Sequence, residues 1–329
     1  MTAASLQRLQ KLVTILSDGD FHSGEKLANI LGVSRTAIWK LTNKLEAWGI
    51  ELFSVRGKGY KIPNGLTLID SEYLANQITE HARLFSSIEV LSTVDSTSSY
   101  LARNWSKGNG KGHIVVSEHQ TGGRGRNGKT WISPFGSNLY FSLGSSLPVG
   151  LSALGGLSLA IGIGLTKLFN QHTNKKVKLK WPNDLLVDQR KLAGILVEAS
   201  GDSNDNSFLN IGIGLNWKMS TKSRGIEQPW INLSEILNRD IDRNKLLARI
   251  LLELDKILCD YIDNGFESFR AHWAEYSAYY GKPIVLTSQK GSVSGIEAGI
   301  DNMGALRLKM ETGEKTFYSG EVSLRPLQS

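Results

Sequence analysis

The sequence predicts a multidomain α+β protein, and three zones of different composition support this prediction. Residues 1–65 contain three amphipathic helical patterns followed by two short β-rich runs. Residues 66–275 mix apolar strands with helices, whereas residues 276–329 are short strands separated by glycine, serine and asparagine turns. A chain of 329 residues is long enough for two or three domains with cores of their own. We therefore expect a helical domain, a larger domain built on a sheet, and a small C-terminal β-barrel.

The first zone carries the start and stop signals of a helix-turn-helix. Helix one ends near Ser17, Ser23 is a typical N-cap of the second helix, and Gly32 ends that helix. Ser34 caps a third helix, RTAIWKLTNKLEAW, and only a short Gly-Val turn separates it from the second. The following run, ELFSVRGKGYKI, predicts a hairpin with a basic tip. Together these signals predict a winged helix.

The third helix has one apolar face and one polar, cationic face. The apolar face consists of Ile38, Leu41, Leu45 and Trp48. The opposite face and the basic hairpin tip suit the major groove and the phosphates of DNA, although a helical domain used for protein contacts is the alternative. The predicted DNA-binding residues are Arg35, Thr36, Trp39, Lys40 and Asn43 on the helix, with Arg56 and Lys58 on the hairpin.

The second zone alternates between strands and helices. Strands are predicted over 114–120, 138–147, 177–181, 184–188, 191–200 and 208–217. Helices are predicted over 71–81, 96–105, 151–170, 244–262 and 265–278. Polar turns at Asp188-Gln189 and over 201–207 join strands that follow each other closely, so the sheet should be largely antiparallel or mixed.

Composition narrows the class of protein. The 38 basic and 31 acidic residues give a net charge of +7, which permits anionic partners such as nucleic acid or phosphates. A single cysteine, Cys259, excludes a disulfide framework and favours a reducing, cytoplasmic setting. Residues 149–169 are apolar enough to span a bilayer, but their glycines and Lys167 favour a buried core helix, so we expect no membrane partner. The six histidines are scattered, so no metal site built from protein side chains is predicted.

The stretch GRGRNGKT, residues 123–130, fits two phosphate-binding patterns, the P-loop and the G-x-G-x-x-G dinucleotide fingerprint. Both patterns need a helix directly after the loop, and Pro134 and Gly136 would break one. The dinucleotide fingerprint also needs a later acidic residue, and position 148 is a proline. We therefore interpret the stretch as a cationic glycine loop that can hold a carboxylate and a phosphate side by side, with a solvated basic turn as the alternative.

This loop and the motifs around it resemble biotin–protein ligases. In chain order the motifs are DSTSSY (95–100), TGGRGRNGKTW (121–131), SPFGSNLYFSL (133–143), KWPND (180–184), KLAGILVE (191–198), IGIGLNW (211–217), QPW (228–230), GALRL (304–308) and GEVSLR (320–325). With the winged helix, the resemblance covers nearly the whole chain and is to the bifunctional type, which also represses the biotin operon. It implies a catalytic domain like that of class II synthetases and an SH3-like C-terminal barrel, with domains over 1–65, 66–275 and 276–329.

The resemblance implies that biotin and ATP, with Mg²⁺, react to a biotinyl adenylate whose biotin passes to a lysine of the biotin carboxyl carrier protein. It also implies a cytoplasmic protein that forms a homodimer when the adenylate is bound and then binds operator DNA. The implied catalytic residues are Lys180, Arg124 and Arg126. The implied biotin- and nucleotide-binding residues are Ser96, Thr97, Ser98, Gln120, Gly123, Arg124, Gly125, Arg126, Lys129, Lys180, Gly194, Asn216 and Trp230.

The sequence departs from the family pattern at four positions in two motifs. Ser98 stands where relatives often have asparagine, and Asn127, Lys129 and Thr130 replace a run richer in arginine. We expect altered affinity or loop stability from these changes, with the chemistry kept. Asp184 is either a base or an orienting group for the acceptor amine, or it is a structural cap. Three other functions stay open: a repressor that senses its ligand without turnover, a lipoate ligase, and a P-loop ATPase with a DNA-binding domain.

Overall fold

The computed structural model describes residues 3–104, 112–201, 207–220, 225–288, 291–318 and 323–326. Over these residues the strands form a two-stranded, a seven-stranded and a five-stranded sheet. Three sequence predictions fall partly outside the described residues: the end of the helix at 105, the turn at 202–206, and the first half of the GEVSLR motif at 320–322.

The N-terminal part has the predicted winged-helix arrangement. Its elements are α1 (Ala3–Leu16), α2 (Gly24–Leu31), α3 (Arg35–Ala47), β1 (Phe53–Val55) and β2 (Gly59–Lys61). The Ser23 and Ser34 hydroxyls accept hydrogen bonds from the first turns of α2 and α3, and Gly32 ends α2 with a φ of 60°. Each of these cap predictions is confirmed, because a cap depends on its own few residues.

The larger part is built on the seven-stranded sheet. Its helices are α4 (Ser71–His81), α5 (Thr97–Asn104), α6 (Leu157–Asn170), α7 (Arg243–Asn264), α8 (Glu267–Arg270) and α9 (Trp273–Tyr276). Its strands are β3 (Phe85–Leu91), β4 (Gly112–Ser117), β5 (Leu139–Leu147), β6 (Lys178–Lys180), β7 (Asp184–Val187), β8 (Arg190–Gly201) and β9 (Ser207–Leu215). The strand order is β3-β4-β5-β9-β8-β7-β6, and only β3 and β4 run parallel, which confirms the predicted mixed sheet.

The structure differs from the prediction in one additional strand and two helices. The prediction missed β3, an edge strand whose serines and glutamate leave little apolar periodicity. The helix predicted from residue 151 begins at Leu157, because a short 3-10 turn and Gly156, with a φ of 77°, precede it. The helix predicted over 265–278 is two short helices, α8 and α9.

The apolar segment Leu151–Asn170 meets the length and composition test for a membrane span, yet half of it is buried inside the structure. Two interior glycines of α6 explain the close packing. A Cβ on Gly162 would lie 2.6 Å from Cδ1 of Leu179, and one on Gly164 would lie 2.2 Å from Cδ1 of Ile257. Glycine in a helix interior costs about 1 kcal/mol, so its presence here reflects the space that the sheet and α7 take up. The prediction of a buried core helix is confirmed.

The C-terminal strands form an antiparallel sheet in the order β13-β12-β11-β10-β14. They are β10 (Pro283–Ser288), β11 (Gly291–Ile300), β12 (Leu306–Met310), β13 (Gly313–Phe317) and β14 (Ser323–Pro326). Ile284 and Leu306 belong to the same apolar cluster as the seven-stranded sheet, and the Trp181 indole donates to the Gly304 carbonyl at 3.0 Å. The SH3-like barrel and the domain limits 1–65, 66–275 and 276–329 remain predictions.

A strip of aromatic rings joins the winged helix to the larger part. The Trp48 ring, at the end of α3, stacks on His119 and Phe135 with centroid distances of 5.0 and 5.4 Å. The Phe135 amide donates to the Trp48 carbonyl at 2.9 Å. Burial lowers the pKa of His119 to about 4, so this ring is neutral at pH 7 and stacks without a charge.

The segment between the two parts is held by a buried ion pair. Arg243 Nη1 lies 2.7 Å from Glu118 Oε2, with both side chains at most 5% exposed. Arg243 also donates to the Thr67 carbonyl at 2.9 Å, and the Ile69 amide donates to Glu118 at 2.5 Å. Residues 67–69 therefore form hydrogen bonds with both members of this ion pair.

Candidate active site

A cavity of about 490 Å³ lies between the glycine loop (residues 121–131) and the sheet face formed by β5, β9 and β8. Twelve of the thirteen predicted binding residues line it. They are Ser96, Thr97, Ser98, Gln120, Arg124, Gly125, Arg126, Lys129, Lys180, Gly194, Asn216 and Trp230. Gly123 is buried behind the cavity wall, where a Cβ would lie 2.4 Å from the Trp131 carbonyl oxygen.

The glycine loop is a small hairpin and is not followed by a helix. The Gly125 amide donates to the Lys129 carbonyl at 2.7 Å, and Arg124 and Thr130 form a β-bridge. Asn127 and Gly128 occupy the turn with φ of 55° and 71°. Two successive positive φ values are characteristic of a type I′ turn, which Asn-Gly favours. This geometry explains Asn127, and it excludes the P-loop and dinucleotide alternatives, which require a helix N-terminus.

Trp131 anchors the end of the loop on glycines of the sheet. A Cβ on Gly214 would lie 2.3 Å from the Trp131 ring, and one on Gly194 would lie 3.1 Å from it. The Lys191 ammonium lies 5.2 Å from the centroid of the same ring, a cation–π contact. The glycines of KLAGILVE and IGIGLNW thus provide the space that the indole fills.

Cations gather at the end of the cavity formed by the KWPND motif. Lys180 and Lys191 share Asp184, with Nζ–Oδ distances of 4.0 and 2.7 Å. Burial lowers the pKa of Lys180, and the Asp184 carboxylate opposes this shift. Burial also lowers the pKa of Arg126, whose guanidinium donates to Asn183 Oδ1 at 3.3 Å. A partly desolvated cluster of this kind suits an anionic ligand, since its charges are weakly screened.

The other end of the cavity is lined by neutral hydrogen-bonding groups. Gln120 Oε1 accepts from the Thr97 amide at 2.9 Å, and its Nε2 donates to Ser133 at 2.9 Å. The Thr97 and Ser142 hydroxyls share a hydrogen bond of 2.8 Å. This end can recognise polar but uncharged atoms of a ligand.

Asn216 and Trp230 meet at the backbone of Lys191. The Asn216 side-chain amide donates to the Lys191 carbonyl at 3.0 Å, while the Lys191 amide donates to the Pro229 carbonyl at 2.8 Å. The structure therefore brings together two of the residues predicted to bind biotin and the nucleotide, although their role remains a prediction.

Several residues of the cavity had no role predicted from the sequence. Lys191, Asn183 and Trp131 lie within the quoted motifs KLAGILVE, KWPND and TGGRGRNGKTW, but no role was predicted for them. The contact between Lys191 and Asp184 could have been predicted, since the KWPND and KLAGIL motifs lie at the starts of two strands that are adjacent in the sequence and pair in the sheet. The Ser142 contact had no local signal, because Thr97 and Ser142 are 45 residues apart.

The predicted DNA-binding residues lie on α3 and in the turn between β1 and β2. All seven are exposed, and Trp39 shows 55% of its surface to solvent. The opposite face of α3 is buried, as predicted, through Ile38, Leu41 and Leu45. Half-buried Trp48 completes that face through the stacking on His119 and Phe135.

Comparison with known proteins identifies the class and then the family. Models of the biotin/lipoate A/B protein ligase family, an HTH domain, and the biotin protein ligase C-terminal domain match residues 90–216, 8–61 and 279–325. The fold and the cavity thus define a ligase of the biotin/lipoate type that carries a helix-turn-helix domain. The chain belongs to the biotin protein ligase family, in its bifunctional ligase/repressor branch.

The similarity extends over nearly the full length. Bifunctional ligase/repressor BirA of Escherichia coli is 38% identical over 316 residues, which cover 96% of each chain. BirA of Bacillus subtilis is 30% identical over 311 residues, covering 93% of this chain and 94% of that protein. The biotin protein ligase of Aquifex aeolicus, solved with biotin and ATP, aligns with a TM-score of 0.63 and 30% identity, over 74% of this chain and 100% of that one.

Proposed function

We propose that the protein adenylates biotin with ATP, transfers it to a lysine of the biotin carboxyl carrier protein, and represses biotin synthesis genes. The observation that carries the enzymatic part is the cavity itself. It joins a neutral hydrogen-bonding end to a desolvated cationic end under a closed glycine loop. A ligand with a polar ring and a carboxylate, joined to a phosphate, fits this order of groups.

In the first step, a biotin carboxylate oxygen attacks the α-phosphorus of ATP and pyrophosphate leaves. Two anions must approach each other, so the barrier is largely electrostatic. Lys180 and Arg126 would neutralise the two anions, because both are partly buried and held by Asp184 and Asn183. Preorganised charges of this kind act strongly in a site that excludes water.

In the second step, the neutral amine of the acceptor lysine attacks the acyl carbon, AMP leaves with the bonding electron pair, and the nitrogen releases one proton to solvent. Asp184 contacts two lysines, at 2.7 Å and 4.0 Å, which favours a role in orienting cations over the role of a base. In the part of the chain that the structure describes, no group of three His, Cys, Asp or Glu residues is placed to hold a metal. We therefore propose that Mg²⁺ enters as the MgATP complex.

The ligase test is the intact mass of a purified biotin carboxyl carrier domain after incubation with this protein, MgATP and biotin. We expect a mass increase of one biotinyl group that requires both ATP and biotin. Addition of lipoate should neither label the carrier domain nor compete. A folded protein that binds biotin but never labels the carrier would instead support the sensor-only repressor.

The repressor part rests on the exposed face of α3 and the basic wing. Replacing Trp39 by alanine should weaken operator binding by about tenfold or more, because a large aromatic side chain at the centre of the reading face loses its base contacts. Binding to a DNA fragment upstream of biotin synthesis genes, measured by fluorescence anisotropy, tests this. Carrier biotinylation should stay at the wild-type rate in this variant. Unchanged DNA affinity would favour a protein-contact role for the domain.

We also propose that the adenylate-bound protein is a cytoplasmic homodimer that presents two winged helices to two half-sites. If the adenylate favours the dimer, then by linkage it also favours DNA binding. The Trp48 stack supports this coupling, since it touches His119, the neighbour of Gln120 in the cavity wall. Sedimentation with and without biotin and ATP should show a ligand-dependent shift from monomer to dimer.

A further inference from the structure

Glu198 lies on β8 beside the cavity and has no part in the chemistry described above. Its carboxylate accepts a hydrogen bond from the Ser98 hydroxyl at 2.8 Å and a longer one from Asn210 Nδ2 at 3.4 Å. It also pairs with the guanidinium of Arg124, from the glycine loop. One carboxylate thus joins α5, β9 and the loop.

The carboxylate is held in place by buried neighbours. Ser98 is 4% exposed and Asn210 is 2% exposed. Asn210 lies directly opposite Glu198 across the β8–β9 pair, and its amide also donates to the Ser98 carbonyl at 2.9 Å and to the Ser98 hydroxyl at 3.0 Å. The acceptor for Arg124 is therefore preorganised, which lowers the entropy lost when the ion pair forms.

The loop is already fixed at its two ends. At its start, the Thr121 and Gly122 amides donate to the carbonyls of Val94 and Asp95 at 2.9 and 2.7 Å. At its end, Trp131 fills the space above the glycines of β8 and β9. The hairpin between these ends reaches over the cavity, and Arg124 ties it to the sheet on the side of Ser98.

We propose that Glu198 is a positioning residue that holds the glycine loop closed over the adenylate through Arg124. In this arrangement Arg124 serves loop closure, while Lys180 and Arg126 neutralise the reacting anions. A closed loop retains the mixed anhydride and keeps water from it until the acceptor lysine arrives. The same contact gives a role to Ser98, the departure from the family pattern, because its hydroxyl orients the carboxylate that receives Arg124. This inference rests on the proposed adenylation of biotin.

The test compares Glu198→Gln, Arg124→Gln and the double variant with the wild type in single turnovers with MgATP and radiolabelled biotin. Two rates are measured: formation of the adenylate, from pyrophosphate release, and escape of the adenylate, from label that passes a filter retaining protein. We expect escape about fivefold faster in each variant, the upper range for an exposed ion pair, and formation within about twofold of wild type in Glu198→Gln. The double variant should be no faster than either single one, since both remove the same contact.

Asp188→Asn is the matched control. It removes another exposed ion pair, Lys175–Asp188, which lies outside the cavity with Asp188 in the turn between β7 and β8, and escape should stay at the wild-type rate. If Glu198→Gln does not fold, as judged by thermal unfolding, Arg124→Gln and its combination with Ser98→Ala report on the same contact.

Unchanged escape with normal formation would overturn this inference alone. So would loss of adenylate formation in Arg124→Gln but not in Glu198→Gln, because Arg124 would then act on the phosphate. A wild-type protein that forms no adenylate would overturn the proposed function, and this inference with it.

Discussion

Replacing Lys180 by alanine is expected to slow biotin transfer to the carrier domain by about a hundredfold to a thousandfold, the usual effect of removing a preorganised electrostatic group. The Lys180 side chain is 17% exposed and lines the cavity, at the end where the proposed reaction would bring the carboxylate and the phosphate together. Without the Lys180 ammonium, fewer cations offset the repulsion between the carboxylate and the phosphate. The loss should appear in the rate of adenylate formation, measured as pyrophosphate release in a single turnover.

Lys176→Ala provides the control, because it removes an exposed lysine close in sequence and outside the cavity. Its rate should match that of the wild type. The pH dependence gives a second readout. Burial lowers the pKa of Lys180, so the ammonium needed for adenylation is lost at a lower pH than in a free lysine, and the rate should fall there. A Lys180→Ala protein that adenylates biotin at the wild-type rate would contradict the role proposed for this residue.

Replacing Arg243 by alanine is expected to lower the free energy of unfolding by about 3–5 kcal/mol. The change leaves the buried Glu118 carboxylate without its cation and removes two hydrogen bonds, to the carbonyls of Thr67 and Asn138. Glu118 and residues 67–69 connect the winged helix to the larger part, so both parts should lose stability. Urea unfolding followed by tryptophan fluorescence and circular dichroism measures the effect.

Arg270→Ala provides the contrast, since its partner Glu267 is 65% exposed. An exposed pair of this kind contributes about 0–1 kcal/mol. Converting both buried partners, with Arg243→Met and Glu118→Gln, should cost less than Arg243→Ala alone, because no unpaired charge remains. Equal losses in the free energy of unfolding for Arg243→Ala and Arg270→Ala would show that the buried ion pair does not stabilise the connection between the two parts.

The helix caps, the apolar faces and the order of most elements could be predicted from the residues alone. Ser23, Gly32 and Ser34 act on neighbours within one turn, so their patterns could be read without the fold. The same holds for the glycine loop, where Pro134 and Gly136 already argued against a following helix. The candidate site was largely predictable too, since most of its residues lie in short motifs whose resemblance to a family is specific.

The contacts between residues far apart in the sequence could not be predicted, because they depend on the folded arrangement of the whole chain. Glu118 pairs with Arg243 across 125 positions, and Glu198 receives Arg124 across 74. Trp131 lies on Gly214 because the loop folds back over the sheet. Such contacts cannot be predicted from local sequence patterns, since a charged residue with a distant partner has no distinguishing neighbours in the sequence. The sheet order and the packing of the helices bring them together, and these depend on the whole chain at once.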